Sequence, residues 1–490
     1  YINKRITGSC VCMSSKGRVS PETGLFQPEM YGAELTLQSD EEPMEWVSKL
    51  KRELIDEYIW SEVLREQNSS VADSINEVAN ELETAEDELN EIKNGGETGD
   101  GMLYDELTKL GVELNNGSTE EAFEESIFDD MIEASDGLGI DYVLRGGKRL
   151  RPAMTLLTEY GLEGEITDKG LLIGAAQEII HASSLAQDDE MDGDKVRRNK
   201  LSTERLNRAL FEDKGYDQSM LDGNKVEAWA GKAVLAAVGK GVTQETAQEA
   251  FTIEADLQDG QKRDIEMESA DLRETELEDY EDMIEGKTGA LYRGGVEMMV
   301  ETHLENEDYI RRDQCNLDND DVQSLFTEYM DSFNKLFQAG DDMIEIFNSD
   351  DVEKSTSDIE NRKITFPALN TKYGLEDQDN DYARVFLDVF DRNYDQIADQ
   401  NGEVSSEVKQ TASEMGVEIP SEAQVGGDWE NQWVTDVIHE YGHAPSTSRA
   451  DEYIQRAEGA IDRLQDNDVL EEEIADKYRE MAGFVYNRDN

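Results

Sequence analysis

Positive charge is what this sequence has least of. Of its 490 residues only 46 are Lys or Arg, against 114 Asp or Glu, for a formal net charge of −68. A surface that acidic excludes general binding of nucleic acid and stable attraction to anionic lipid, since both are polyanions. Cysteine is scarce too. Cys10, Cys12 and Cys315 cannot build a disulfide framework, which points to a reducing cytoplasm. Cys10–Val11–Cys12 has no second pair with which to hold zinc. No apolar run reaches the ~18 residues of a membrane span, and no secretory leader is expected. The chain begins with Tyr1, as a fragment or a processed protein would. Hydrophobic residues are also few, at 37%. They recur periodically, however, so a core is available and wholesale disorder is not expected. Adaptation to molar salt, which screens charge within about 3 Å, accounts for such acidity. A halophilic source is expected.

The length allows one large domain or two to three ordinary ones. Residues 1–40 are irregular. Glu45–Leu64 is amphipathic, with Val47, Leu50, Leu54 and Tyr58 on one stripe. Val71, Ile75, Val78, Leu82, Ala85, Leu89 and Ile92 alternate spacings of four and three, a heptad pattern ended by Gly95–Gly96. It reads as an amphipathic helix packed on its own domain or as an oligomerisation helix. Asn94–Gly101 is a linker candidate, which makes 1–100 an N-terminal extension and 101–490 the main domain. From Leu103 to Leu369 nearly every long segment reads as helix, with no period-2 strands. Ala450–Asp489 is helical again, with Ile454, Ala457, Ile461 and Leu464 on one face.

The chemistry gathers in Gln187–Arg198, QDDEMDGDKVRR. Asp188 and Asp192 are four apart and share a helix face, with Asp189 beside the first. Carboxylates this close suit a hard cation such as Mg²⁺, which also holds phosphates. Arg197 and Arg198 follow, guanidiniums suited to phosphate oxygens. Phe337–Glu345, FQAGDDMIE, repeats the spacing with Asp341, Asp342 and Glu345. In so acidic a chain, one such triplet alone is a solvated face. The flanks change that. Leu144–Pro152 (LRGGKRLRP) is a basic cluster, and Ala175–Asp192 is an apolar helix running into the acids. Asp259–Asp264 (DGQKRD), Gly286–Arg293 (GKTGALYR) and Asp358–Leu369 (DIENRKITFPAL) add further charged groups.

This ordered set resembles the trans-type isoprenyl diphosphate synthases, or polyprenyl synthetases, over roughly residues 137–370 and more loosely over the last forty. The resemblance implies an all-α, isoprenoid-synthase-type helical bundle around a central cavity. Residues 372–433, polar and longer than that family has there, then read as a late insertion. The implied reaction condenses isopentenyl diphosphate with an allylic diphosphate, using Mg²⁺, in a homodimer. The resemblance gives the metal to Asp188, Asp189 and Asp192 on one side and to Asp341, Asp342 and Glu345 on the other. Glu345 stands where that family has Asp. Arg197, Lys287 and Lys354 would contact the allylic diphosphate, with Lys363 close by. Lys148, Arg151, His181 and Arg198 would bind isopentenyl diphosphate. Thr288 and Gln338 would stabilise the allylic cation, and Gln261 and Asp264 would stand at the pocket wall. Gln187, Asn199 and Gly223–Asn224 depart from the family's usual His, Gly and Gly-Asp. Ser183 and Ser184, five and four residues before Asp188, are small where that family places aromatics to stop chain growth. With Ile180 next below, geranylgeranyl diphosphate is the expected product.

Two other readings compete. A non-catalytic partner subunit would share the fold, though the retained acids and cations argue against it. HEYGH at His439–His443 matches the zinc-protease pattern H-E-x-x-H, with Glu440 as general base. Pro445 is expected to end that helix, and the remaining histidines, His181 and His303, offer no downstream third ligand. A terpene cyclase would not need the GGKRLRP cluster.

Overall fold

A computed structural model describes residues 143, 148–192, 196–197, 200–202, 207, 214–306, 315–348 and 358–487. The expected extension at 1–100, with its two amphipathic helices, and the 94–101 linker lie outside the described residues. Contacts divide the chain into two compact units, 1–247 and 248–490.

The first unit is built on three helices: α1 (Leu150–Glu163), α2 (Asp168–Asp192) and α3 (Gly215–Val238). Pro152 sits in the first turn of α1, where its missing N–H costs nothing. Gly164, at φ 83°, ends α1 by donating its N–H to the Tyr160 carbonyl. The α1–α2 corner is organised by a buried acid. Glu159 accepts from Thr167 N (3.1 Å), Thr167 Oγ1 (2.6 Å) and Gly170 N (3.3 Å), so it serves the orphan donors at the start of α2. A Cβ on Gly170 would lie 1.9 Å from Glu159 Oε2, which is why glycine stands there. Burial pushes the Glu159 carboxyl up to about 7.

After α2 come two short antiparallel strands, β1 (Val196–Arg197) and β2 (Lys200–Leu201), with Arg197 opposite Lys200. They differ from the strand-free expectation because two residues are too few to display an alternation.

The second unit holds nearly all of α4 (Gln244–Met267), then α5 (Leu277–Ile284), α6 (Ala290–Asn306) and α7 (Asn319–Met343). Asp318 caps α7 through the Asp321 N–H. Val322, Leu325, Phe326, Tyr329, Met330, Phe333 and Leu336 form its buried stripe. Tyr329 meets Tyr478 edge-on at 5.0 Å, and Tyr292 meets Phe333 at 5.6 Å. The segment 372–433 folds into the end of α8 (Phe366–Glu376), then α9 (Asn380–Phe390), α10 (Tyr394–Ile397), α11 (Ser406–Glu414) and the start of α12 (Trp429–Val437). Its weak periodicity reflects this succession of short helices, several with side-chain caps such as Asp379 and Ser405. Two long helices follow, α13 (His443–Asp466) and α14 (Glu472–Tyr486). Pro445 does not end a helix. α12, the π turn Ile438–Gly442 and α13 follow one another without a gap, and Pro445 lies just after that turn, where the hydrogen-bond ladder is already displaced. Among the described residues no helix is long and apolar enough to cross a membrane.

In three places of the second unit the α-helical hydrogen bonding widens to a π turn: Glu285–Gly289, Ile344–Asn348 and Ile438–Gly442. Such turns are rare and gather at functional sites. Here each falls on a motif already singled out: GKTG, DDMIE and HEYGH.

Candidate functional site

In the first unit, α2 carries the first acidic triplet. Asp188 is half-buried and Asp189 is fully buried. Asp192 ends the helix, and nothing of its side chain is described. One row of α2 faces α3. Ser183 Oγ donates to the Gly223 carbonyl at 2.9 Å, and Gln187 Nε2 donates to Glu227 Oε1 at 3.1 Å. Gly223 leaves just enough room, since a Cβ there would lie 3.1 Å from Gln187 Cγ. The row beginning one residue later, Ser184 and Asp188, is half-buried, as is His181 one turn down. Ser183 and Ser184 therefore do not share a face, and only Ser184 lies in line with Asp188.

The basic cluster before α1 divides in the same way. Arg149, at φ 57° and 3% exposed, turns inward to pair with the buried Glu178 of α2 and to donate to the Val143 carbonyl at 2.8 Å. Lys148 is exposed and Arg151 half-buried, so among the cluster's described cations these two are the less buried. Arg197 is described only as a strand residue. Arg198 and Lys354 lie outside the described residues.

In the second unit, residues from four motifs meet. Gly260 of α4 lies against the first π turn. A Cβ there would come within 2.1 Å of Lys287 N and 2.3 Å of Gly286 C. One turn further along α4, Asp264 accepts from Lys287 Nζ at 2.5 Å. The next residue of the π turn, Thr288, donates to Gln338 Oε1 at 3.4 Å, and Gln338 Nε2 donates to Asp342 Oδ1 at 2.9 Å. Asp342 Oδ2 accepts from Tyr280 Oη at 2.6 Å and from the Phe366 N–H, at the head of α8, at 2.8 Å. Burial first, and the Asp342 carboxylate second, hold the Tyr280 phenol well above its ordinary value, so it remains a donor. Three donors thus hold Asp342, while Asp341 and Glu345 are half-buried beside it. Gln261 is half-buried and Lys363 exposed.

Sequence reasoning missed Tyr280, Glu227 and the Phe366 N–H. Tyr280 lies in an ordinary acidic helix, Glu227 is one acid among many, and a backbone donor leaves no mark in composition.

The HEYGH histidines pack on an aromatic ring. His439 and His443 are exposed, and both rings contact Phe347, at 5.3 Å and 4.8 Å between centroids.

Residues 138–404 match the sequence profile of the polyprenyl synthetase family. The geranylfarnesyl diphosphate synthase of Aeropyrum pernix is 34% identical over 158 residues, which are 32% of this chain and 48% of that protein. The geranylgeranyl diphosphate synthase of Saccharolobus solfataricus is 32% identical over 237 residues, 46% of this chain and 63% of that protein. The chain thus matches between about half and two thirds of these relatives' own length. Among solved structures, the geranylgeranyl pyrophosphate synthase of Corynebacterium glutamicum, complexed with isoprenyl diphosphate and magnesium, superposes with a TM-score of 0.52 at 18% identity. That superposition covers 79% of this chain and 98% of the other, and shows a shared all-α fold.

Proposed function

The chain belongs to the polyprenyl synthetase family, and we propose that it condenses isopentenyl diphosphate with an allylic diphosphate to give a longer trans-polyprenyl diphosphate. The observation that carries this reading is the network from Asp264 and Lys287 through Thr288 and Gln338 to Asp342. It joins a fixed cation, neutral oxygen dipoles and an acidic triplet, the parts needed to ionise an allylic diphosphate. The donor set is hard oxygen alone, which fits Mg²⁺ rather than a thiophilic metal. Asp188, Asp189 and Asp192 of the first unit and Asp341, Asp342 and Glu345 of the second would each form an acidic group for it, Asp189 and Asp342 chiefly by keeping their neighbours in place. When bound, Mg²⁺ neutralises charge on the departing diphosphate.

Lys287, oriented by Asp264, would hold the allylic diphosphate together with Arg197, Lys354 and Lys363. Lys148, Arg151, His181 and Arg198 would hold isopentenyl diphosphate. Thr288, whose proton is directed to Gln338, would turn its lone pairs toward the allylic cation, an electrostatic role that needs no charge of its own. Gln261 would stand at the pocket wall. The growing tail would run down α2 past Ser184 towards Ile180, giving geranylgeranyl diphosphate (C20). We read 101–490 as the synthase domain, 1–100 as an accessory extension and 372–433 as an insertion, in a cytoplasmic enzyme. A homodimer is supported by two exposed stripes. Leu221, Ala228 and Leu235 recur every seven residues on α3, and Phe251, Ala255 and Ile265 follow heptad spacing on α4.

The test is product analysis with labelled isopentenyl diphosphate, Mg²⁺ and each short allylic primer. Extension to C20 is expected. Asp188→Ala and Asp341→Ala should each lower turnover by roughly three orders of magnitude, since metal charge stabilisation contributes several kcal/mol at about 1.36 kcal/mol per tenfold. No incorporation by wild type, or full turnover in both variants, would refute the reading.

A further inference from the structure

The HEYGH motif has no part in the reaction above, yet it is tightly built into the second unit. Its π turn, Ile438–Gly442, lies against α8. A Cβ on Gly442 would be 2.2 Å from Thr371 Oγ1 and 3.0 Å from the Pro367 carbonyl oxygen. A Cβ on Gly374 would be 2.9 Å from the Tyr441 carbonyl oxygen. Tyr441 also donates to the Met415 carbonyl at 2.7 Å. The turn is therefore pinned on one side, while His439 within it and His443 just after it are exposed. Both meet one ring, that of Phe347, at interplanar angles of 89° and 67°. These are the edge-to-face arrangements that aromatic rings prefer.

Phe347 belongs to the π turn Ile344–Asn348, which also carries Glu345. A residue in an α-helix advances about 100°. A π turn closes its hydrogen bonds one residue later, so each of its residues advances less. Asp341 lies four residues before Glu345, on the same side of the helix, so whatever holds the π turn also fixes where Glu345 stands relative to Asp341.

We propose that His439 and His443 are positioning residues for the second acidic triplet. They clamp Phe347 and so hold the π turn that fixes Glu345 beside Asp341 for a divalent cation. This rests on the reading that the triplet binds Mg²⁺. It assigns the zinc-protease-like motif to ring packing rather than to metal ligation.

The test is calorimetric titration of the full-length protein with Mg²⁺ in the presence of inorganic diphosphate, which reads binding without turnover. The pair His439→Ala with His443→Ala should weaken Mg²⁺ binding on the order of tenfold, as the loss of outer-shell support does elsewhere. The pair His439→Phe with His443→Phe should restore it, because a phenyl ring can make the same contacts. Phe347→Leu should match the alanine pair, and circular dichroism should show all variants folded. Wild-type binding in the alanine pair, or failure of the phenylalanine pair to restore it, overturns the proposal. So does a zinc ion held stoichiometrically by wild type and lost with the imidazoles. Asp341→Ala separates this inference from the reading beneath it. If that variant binds Mg²⁺ like wild type, the metal assignment itself has failed. If it is weak while the alanine pair is normal, only the clamp is wrong.

Discussion

Gly260→Ala is the substitution that asks most of the proposed site while adding only one methyl group. In the middle of α4 that exchange would by itself stabilise the helix by about 0.5–1 kcal/mol. The close approach to the Gly286–Lys287 backbone reverses the sign. The new Cβ would start 2.1 Å from Lys287 N, and neither contact is the end of a flexible side chain that could swing aside. Reaching the 3.4 Å of ordinary contact means parting α4 from the π turn by about 1.3 Å. Overpacking of this kind costs about 1–3 kcal/mol, so the net change is a loss of up to about 2.5 kcal/mol. Asp264 lies four residues on, on the same face, and moves with the helix. Its 2.5 Å bond to Lys287 Nζ would then exceed hydrogen-bonding distance. A charged hydrogen bond is worth about 1.5–3 kcal/mol where it is shielded. The bridge here keeps some exposure, 26% on Lys287 and 12% on Asp264, so the lower end applies. About 1.4 kcal/mol is tenfold in binding. The KM for the allylic diphosphate should therefore rise on the order of tenfold. Urea unfolding at high KCl measures the first quantity and steady-state kinetics the second. A variant more stable than wild type, with unchanged KM, would show that α4 does not touch the π turn at Gly260.

Product length should respond to one serine and stability to its neighbour. Ser184→Phe should shorten the main product towards C15 in a folded enzyme, whereas Ser183→Phe, buried against Gly223, should lower stability by about 1–3 kcal/mol; an unchanged product from the first variant would place the tail elsewhere. Thermal melts should rise with KCl, since the −68 charge repels itself until salt screens it; equal stability in dilute buffer would count against a halophilic origin. Glu159 gives a pH dependence of known sign. Its carboxyl is raised from 4.5 to about 7 in the fold, so the stability it contributes is complete below pH 4.5 and is lost as pH rises to about 7. The shift corresponds to about 3 kcal/mol. Glu159→Gln should narrow the stability difference between pH 4 and pH 8 by that amount, as read by denaturant unfolding at both values.

The helices were legible in the sequence because their apolar residues recur at helical spacing, as along Val322–Leu336. The candidate acids were legible because i, i+1, i+4 is a local pattern. What composition does not carry is rotation. Ser183 and Ser184 look equivalent until α3 presents Gly223 to one of them. Arg149 reads as part of a basic cluster, but a left-handed backbone sends it to Glu178. Pro445 reads as a stop signal because nothing in composition marks the displaced hydrogen bonding of the π turn just before it. The π turns themselves are silent, since a hydrogen bond displaced by one residue demands no particular side chain. Residues 372–433 were hard to read for a different reason. Their helices are too short for a period to accumulate.

The doublets at the head of each acidic triplet follow from the same rotation. Two adjacent helical residues point about 100° apart, so both cannot face one cation. In each triplet the first acid is half-buried and lies near the line of the acid four residues on. The second acid points elsewhere. Asp189 is wholly buried, and Asp342 is held by Tyr280, Gln338 and the Phe366 N–H. A carboxylate is suited to that second position because it accepts several hydrogen bonds at once, from a phenol, an amide and a helix N-terminus. The second Asp can therefore fasten the metal-bearing helix to its neighbours without being a ligand. The second triplet, DDMIE, is thus two devices on one helix, a ligand row at i and i+4 and an anchor at i+1. In this chain the anchor is what ties GKTG, the second triplet and KITFPAL into one structure.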